Sequence, residues 1–166
     1  MSSEEIICKA QAFNHRPIFD RFKKGLHEKF GVADEGMAEN LKKECLRYLT
    51  LCALHPEKDI NMFNEMVDEY WHTFLLFSRE YFDFCHDLGI PYIHHYPNVS
   101  EEKPKEGATF SDFKKLYQET FEEELPALWK TGKGKRCGGN GGRCSACSGA
   151  CSANAKMPDR LTHERM

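Results

Sequence analysis

A chain of 166 residues with 40% hydrophobic and 12% aromatic content suits one compact core with an appendage, and its longest apolar runs, such as Phe74-Leu75-Leu76-Phe77, are far too short to span a bilayer. The net charge of −3 hides an asymmetry: from Thr131 onward seven basic residues stand against two acidic ones, a net +5, so residues 1–130 carry −8, which makes the body a poor nucleic-acid surface. Met1-Ser2-Ser3-Glu4-Glu5 lacks the basic start and apolar stretch of a secretory signal, and the expected location is cytoplasmic, away from membranes.

The predicted elements are helical almost throughout. From Pro17 to about Phe30, Ile18, Phe19, Phe22, Leu26 and Phe30 recur at helical spacing behind a proline suited to a first turn, and Gly31 follows as a stop. Asp34 to about Leu54 repeats the pattern through Met37, Leu41, Cys45, Tyr48, Leu49 and Cys52. It ends near His55-Pro56, because proline disfavours a helical residue before it. Cys45 and Cys52, seven residues apart, share one face and read as small buried apolar groups.

Asp59 is placed to cap a third helix with Met62, Phe63, Met66, Val67, Tyr70 and Trp71 as its apolar stripe. Ser78 offers a second cap, so the segment from Asp59 to Leu88 reads as one rod or as two helices broken near Thr73 to Phe77. Gly89 ends it and Ile90-Pro91 forces an extended exit. After a loop from Pro97 to Gly107, Thr109 or Ser111 caps a last helix running to Leu125, before Pro126. The sequence thus predicts an all-α fold, a compact bundle of four to five helices. The helical domain is assigned to residues 1–130, with its regular helices counted from about residue 10, and a Gly/Cys-rich basic tail to 131–166.

Within that scaffold the chemistry gathers in Met66-Val67-Asp68-Glu69-Tyr70-Trp71-His72-Thr73 and Ile93-His94-His95-Tyr96-Pro97. Asp68 and His72, four apart on a helix, share a face, and Glu65 lies near it. Carboxylate and imidazole together suit zinc, iron or manganese. His94 or His95, arriving on an extended segment, can complete the set, and alternation along that segment allows at most one of the two to do so. The alternative is structural: Asp68 fixes one tautomer of His72, His72 stabilises a helix kink, and Trp71 and Tyr96 bury apolar area. A Cys85 nucleophile with His72 as base finds no oxyanion-stabilising loop in the sequence to support it.

These two runs, with Phe82-Asp83-Phe84-Cys85 between them, resemble the glycine-rich domain-containing protein-like family, over roughly residues 61–97 by motif and elsewhere by architecture. The resemblance implies a helical region with a Val-Asp-x-x-Trp-His-x-His type motif followed by a glycine- and often cysteine-rich tail. Asp68, His72 and the pair His94 and His95 match, whereas Phe74 stands where the family often has its second His. Plant relatives carry a suggested RNA-binding region, which is not recognisable here.

The tail spaces Cys137, Cys144, Cys147 and Cys151 among Gly138, Gly139, Gly141, Gly142 and Gly149, a flexible stretch able to wrap four thiolates around one tetrahedral ion. Zinc or iron is the expected metal, and its binding free energy would order the segment. The alternative is a disordered tail of reduced cysteines. No aromatic residue interleaves the basic ones, which disfavours nucleic acid. The expected function is a helical scaffold or interaction module, with a protein partner and metal binding through the tail, the Asp/His cluster, or both. The alternatives are a metal-dependent enzyme centred on Asp68, His72 and His94 or His95, and a nucleic-acid adaptor using the basic tail. No nucleotide-binding, kinase or hydrolase signature occurs.

Overall fold

The structure is a computed structural model that describes residues 1–96 and 108–130 and the backbone of residues 150–152. Among the described residues there are seven helices: α1 (Ser3–Ala12), α2 (Arg16–Phe30), α3 (Glu35–Leu54), α4 (Glu65–Leu76), α5 (Ser78–Asp87), α6 (Phe110–Phe121) and α7 (Ala127–Lys130). The fold is all-α. Its five principal helices are those the sequence predicts, and α1 and the single turn α7 add to them.

The N-terminal helix escapes a reading based on apolar periodicity because it buries only Ile6 and Ala10. Its signal is at its start, where Ser2 and Glu5 form a reciprocal capping box that satisfies two otherwise unpaired backbone donors. By contrast α2 and α3 follow the predicted pattern closely. Gly31 closes α2 in the left-handed conformation at φ 68°, and Asp34 caps α3 by accepting from the Met37 N–H.

The segment after α3 departs from expectation. Asp59 does not cap a helix; its carbonyl accepts from the Ala108 N–H at 2.8 Å, and Ile60–Asn61 form a short strand, β1. The Ile60 carbonyl is held by the Tyr48 hydroxyl at 2.7 Å, which keeps this backbone extended. The helix starts only at Glu65, where the Asn64 side chain accepts from both the Met66 and Val67 N–H groups. Asn64 Nδ2 in turn donates to the Leu128 carbonyl at 2.8 Å, so the cap also fastens α7. We expect Asn64→Ala to cost about 1–2 kcal/mol, a fall of roughly 3–6 °C in Tm, and Asp59→Ala to change little. Thermal unfolding followed by circular dichroism checks both, and equal effects would contradict this assignment of the cap.

Between α4 and α5 the chain breaks at Phe77, at φ −94° and ψ 64°. Ser78 is the first residue of α5 and not its cap, and α5 starts without a side-chain cap. Gly89 at φ 66° then turns the chain outward. The last long helix ends at Phe121, earlier than Leu125, because Glu122 adopts the left-handed conformation at φ 53°.

Helix α4 is central, packing against α2, α3 and α5. Its Tyr70, Trp71 and Phe74 are fully buried, and Trp71 Nε1 donates to the Tyr81 hydroxyl at 3.1 Å, which itself donates to the Ile93 carbonyl at 2.8 Å. That relay joins α4, α5 and the start of β2 (His94–Tyr96) with no buried donor wasted. A third short strand, β3 (Ala150–Ser152), lies between β1 and β2 and pairs antiparallel with both. The small sheet is an addition that the sequence, with almost no strand signal, does not predict. No helix among the described residues is long and apolar enough to cross a membrane.

Candidate metal centre

Asp68 sits one turn into α4, and the 3.6-residue repeat brings His72 to the same side one turn later. From the other direction, Ile93 is buried and alternation along β2 turns His95 inward, leaving His94 exposed beside Tyr92, the two rings tilted at 53° with centroids 4.9 Å apart. His95 Nε2 lies 3.2 Å from Asp68 Oδ1, and His72 Nε2 lies 3.6 Å from Asp68 Oδ2. The two imidazole rings are 4.5 Å apart, and the Trp71 ring backs His95 edge-on at 4.6 Å.

One ligand atom from each of Asp68, His72 and His95 can be chosen so that all lie within 4.8 Å of one another. Ligands about 2.1 Å from a tetrahedral ion stand about 3.4 Å apart, so modest side-chain adjustment closes the set on a single cation. The burial is graded: the Asp68 side chain is 0% exposed, His95 7% and His72 36%, which makes His72 the solvent edge of the site.

The electrostatics favour ligand-competent imidazole. Burial pushes the His72 pKa below its ordinary value, against the nearby Asp68 carboxylate, which pulls it upward, and with the second ring of His95 opposing a further positive charge. His72 therefore stays neutral at neutral pH and keeps a lone pair. On the inner side Cys45 is fully buried, and burial, helped by the Asp68 charge, raises its thiol pKa, so it is an inert apolar neighbour.

The carboxylate itself is only half satisfied. Asp68 Oδ2 is buried without a hydrogen-bond partner among the described residues, at 3.6 Å from His72 being too far for one.

Of the residues the sequence singles out, the structure thus brings together Asp68, His72 and His95, and leaves out His94 and Glu65, both exposed. Phe74 is buried in an aromatic cluster with Phe13, Tyr81 and Phe84 at 4.8, 5.0 and 5.3 Å, away from the imidazoles. Cys85 is buried at 2% exposure. Cys137, Cys144 and Cys147 lie outside the described residues, and for Cys151 only the backbone is described. Among the described cysteines, Cys8, Cys45, Cys52 and Cys85 form no disulfide.

No curated protein and no solved structure matches the chain. The model of one family, described as UCP032817-like, matches residues 9–125, a span that runs from α1 to beyond α6 and contains Asp68, His72 and His95; the chain belongs to that family.

Proposed function

We propose that this protein is a metal-binding helical module that holds one divalent ion, zinc or iron(II), between Asp68, His72 and His95. The observation that carries this reading is Asp68 Oδ2, a fully buried carboxylate oxygen without a hydrogen bond and with a second imidazole 3.6 Å away. A structural role accounts for Oδ1, which holds His95, and leaves Oδ2 unexplained. Burying an unpaired anionic oxygen costs several kcal/mol, and a cation between the three side chains supplies the missing partner. One carboxylate and two imidazoles form a donor set suited to zinc or to iron(II).

Three protein ligands leave a position for water or for a group from a partner, and the 36% exposed His72 puts it at the solvent edge. This accessibility is what favours the second reading, a metal-dependent enzyme built on the same three residues. We further propose a reducing, cytoplasmic setting, kinship to glycine-rich domain-containing protein-like proteins, and the tail thiolate site of Cys137, Cys144, Cys147 and Cys151.

The test is metal content by elemental mass spectrometry on reduced protein purified without added metal, followed by zinc titration. Wild type is compared with His72→Ala and with the combined Cys137→Ser, Cys144→Ser and Cys147→Ser variant. The cysteine variant should retain one ion per chain and His72→Ala should lose it. A wild type that neither contains nor takes up metal would sink the reading, and loss confined to the cysteine variant would move the site to the tail.

A further inference from the structure

The three ligands are not held alike. Asp68 and His72 come from one turn of a central helix, whereas His95 comes from β2, a three-residue strand. Strand β2 does not pair with β1; both pair with β3, which fills the slot between them. Both flanking strands are anchored: Ile60 is fully buried, its carbonyl accepts from Tyr48, it bridges to Ala108, and Asn61 Nδ2 donates to the Ala108 carbonyl at 3.2 Å, while Ile93, just before β2, is fully buried and its carbonyl accepts from Tyr81 at 2.8 Å. In β3 the backbone of Cys151 stands in register with Ile60 on one side and with His95 on the other. The rung that joins the His95 backbone to β1 therefore runs through a segment far along the chain.

We propose that the slot between β1 and β2 is a strand-docking site for the chain's own residues 150–152, and that docking is coupled to metal occupancy at Asp68, His72 and His95. The proposal rests on the metal reading given above. Its physical basis is mutual restraint. An ion needs His95 beside Asp68, and the β3 ladder adds a restraint on the His95 backbone to that contact. Each event pays part of the ordering entropy of the other, so metal tightens strand docking by the same factor by which docking tightens metal. Added strands of this kind bind through main-chain hydrogen bonds, which makes the coupling a property of the backbone.

The experiment uses the full-length reduced protein and cobalt(II), whose visible ligand-field bands report occupancy and whose near-ultraviolet charge-transfer band reports thiolate ligation separately. Cys151→Pro removes the N–H at the central rung, and Cys151→Ser keeps it. We expect Cys151→Pro to weaken cobalt binding at the carboxylate and imidazole site about tenfold, within the usual range of coupling between sites, and Cys151→Ser to change it less than twofold. In the wild type, cobalt should slow amide hydrogen exchange at residues 150–152 by a similar factor, a readout that needs no variant. Unchanged affinity in Cys151→Pro, or unchanged exchange in the wild type, overturns the coupling. Equal weakening in Cys151→Ser and Cys151→Pro overturns it too, because the effect would then belong to the thiol. If the wild type binds no cobalt, or His72→Ala binds it equally well, the metal reading itself fails and this proposal falls with it.

Discussion

Asp68→Asn is expected to abolish metal binding while leaving the thermal stability of the metal-free protein unchanged or raised. The two halves of that result have one cause. The Asp68 carboxylate is fully buried, with one hydrogen bond from His95 at 3.2 Å and its other oxygen unpartnered. In the absence of an ion it is a desolvated, half-satisfied charge, and a neutral amide of the same shape avoids most of that cost. With an ion the balance reverses, because an amide is a far weaker donor to zinc or iron(II) than a carboxylate. We expect zinc affinity to fall at least about 100-fold, which corresponds to about 2.7 kcal/mol. Wild type should therefore gain Tm on adding zinc, and Asp68→Asn should not. If the substitution instead lowers the metal-free Tm by about 5 °C or more, and zinc affinity is unaltered, Asp68 is an anchor for two histidines and not a ligand.

Much of this was legible in the sequence, for reasons that can be traced to particular residues. Asp68 and His72 share a face because both lie on one helix, and helical periodicity is a local property that the sequence carries openly. The choice of His95 over His94 depends on which side of an extended segment faces the core, and the burial of Ile93 two positions before His95 decides it. Alternation predicts that one of the pair turns inward; only packing shows which. The start of α4 was misplaced because Asp59 and Asn64 are both good caps by type. The decision falls to Ile60, whose backbone is claimed by Tyr48 and Ala108, contacts 12 and 48 residues away. The same long range explains why β3 was not foreseen: Ala150-Cys151-Ser152 has no strand pattern of its own, and its pairing is dictated by the two strands it lies between.

The largest loss of stability is expected from Arg47→Ala, at a site that no motif marks. Arg47, 3% exposed on α3, makes a bidentate pair with Glu123 at 2.8 Å for each nitrogen, and its guanidinium also donates to the Tyr117 hydroxyl. Beside it the buried Glu44 accepts from Trp129 Nε1 at 2.7 Å and from the Tyr117 hydroxyl at 3.0 Å, with Arg47 3.8 Å away as its counter-charge. This network clamps α6 and α7 onto α3, and α7 in turn receives the Asn64 cap that starts the metal-bearing helix. Removing the guanidinium leaves Glu44 buried without a cation, a loss of about 3–5 kcal/mol or roughly 10–15 °C in Tm. Adding Glu44→Gln to Arg47→Ala should recover about 1–2 kcal/mol, since the amide still accepts from Trp129 and Tyr117 and no longer carries an unpaired charge. The pH dependence has a definite sign. Hydrogen bonding to Arg47 holds the Glu123 pKa below its ordinary 4.5, so this contribution is fully present above that value and is lost as pH falls through the folded-state value. Acid unfolding of Arg47→Ala should lack that component. A Tm within about 3 °C of wild type would instead mean that the cluster behaves as a surface ion pair, and the positioning of α4 would have to be sought in its contacts with α2 and α5.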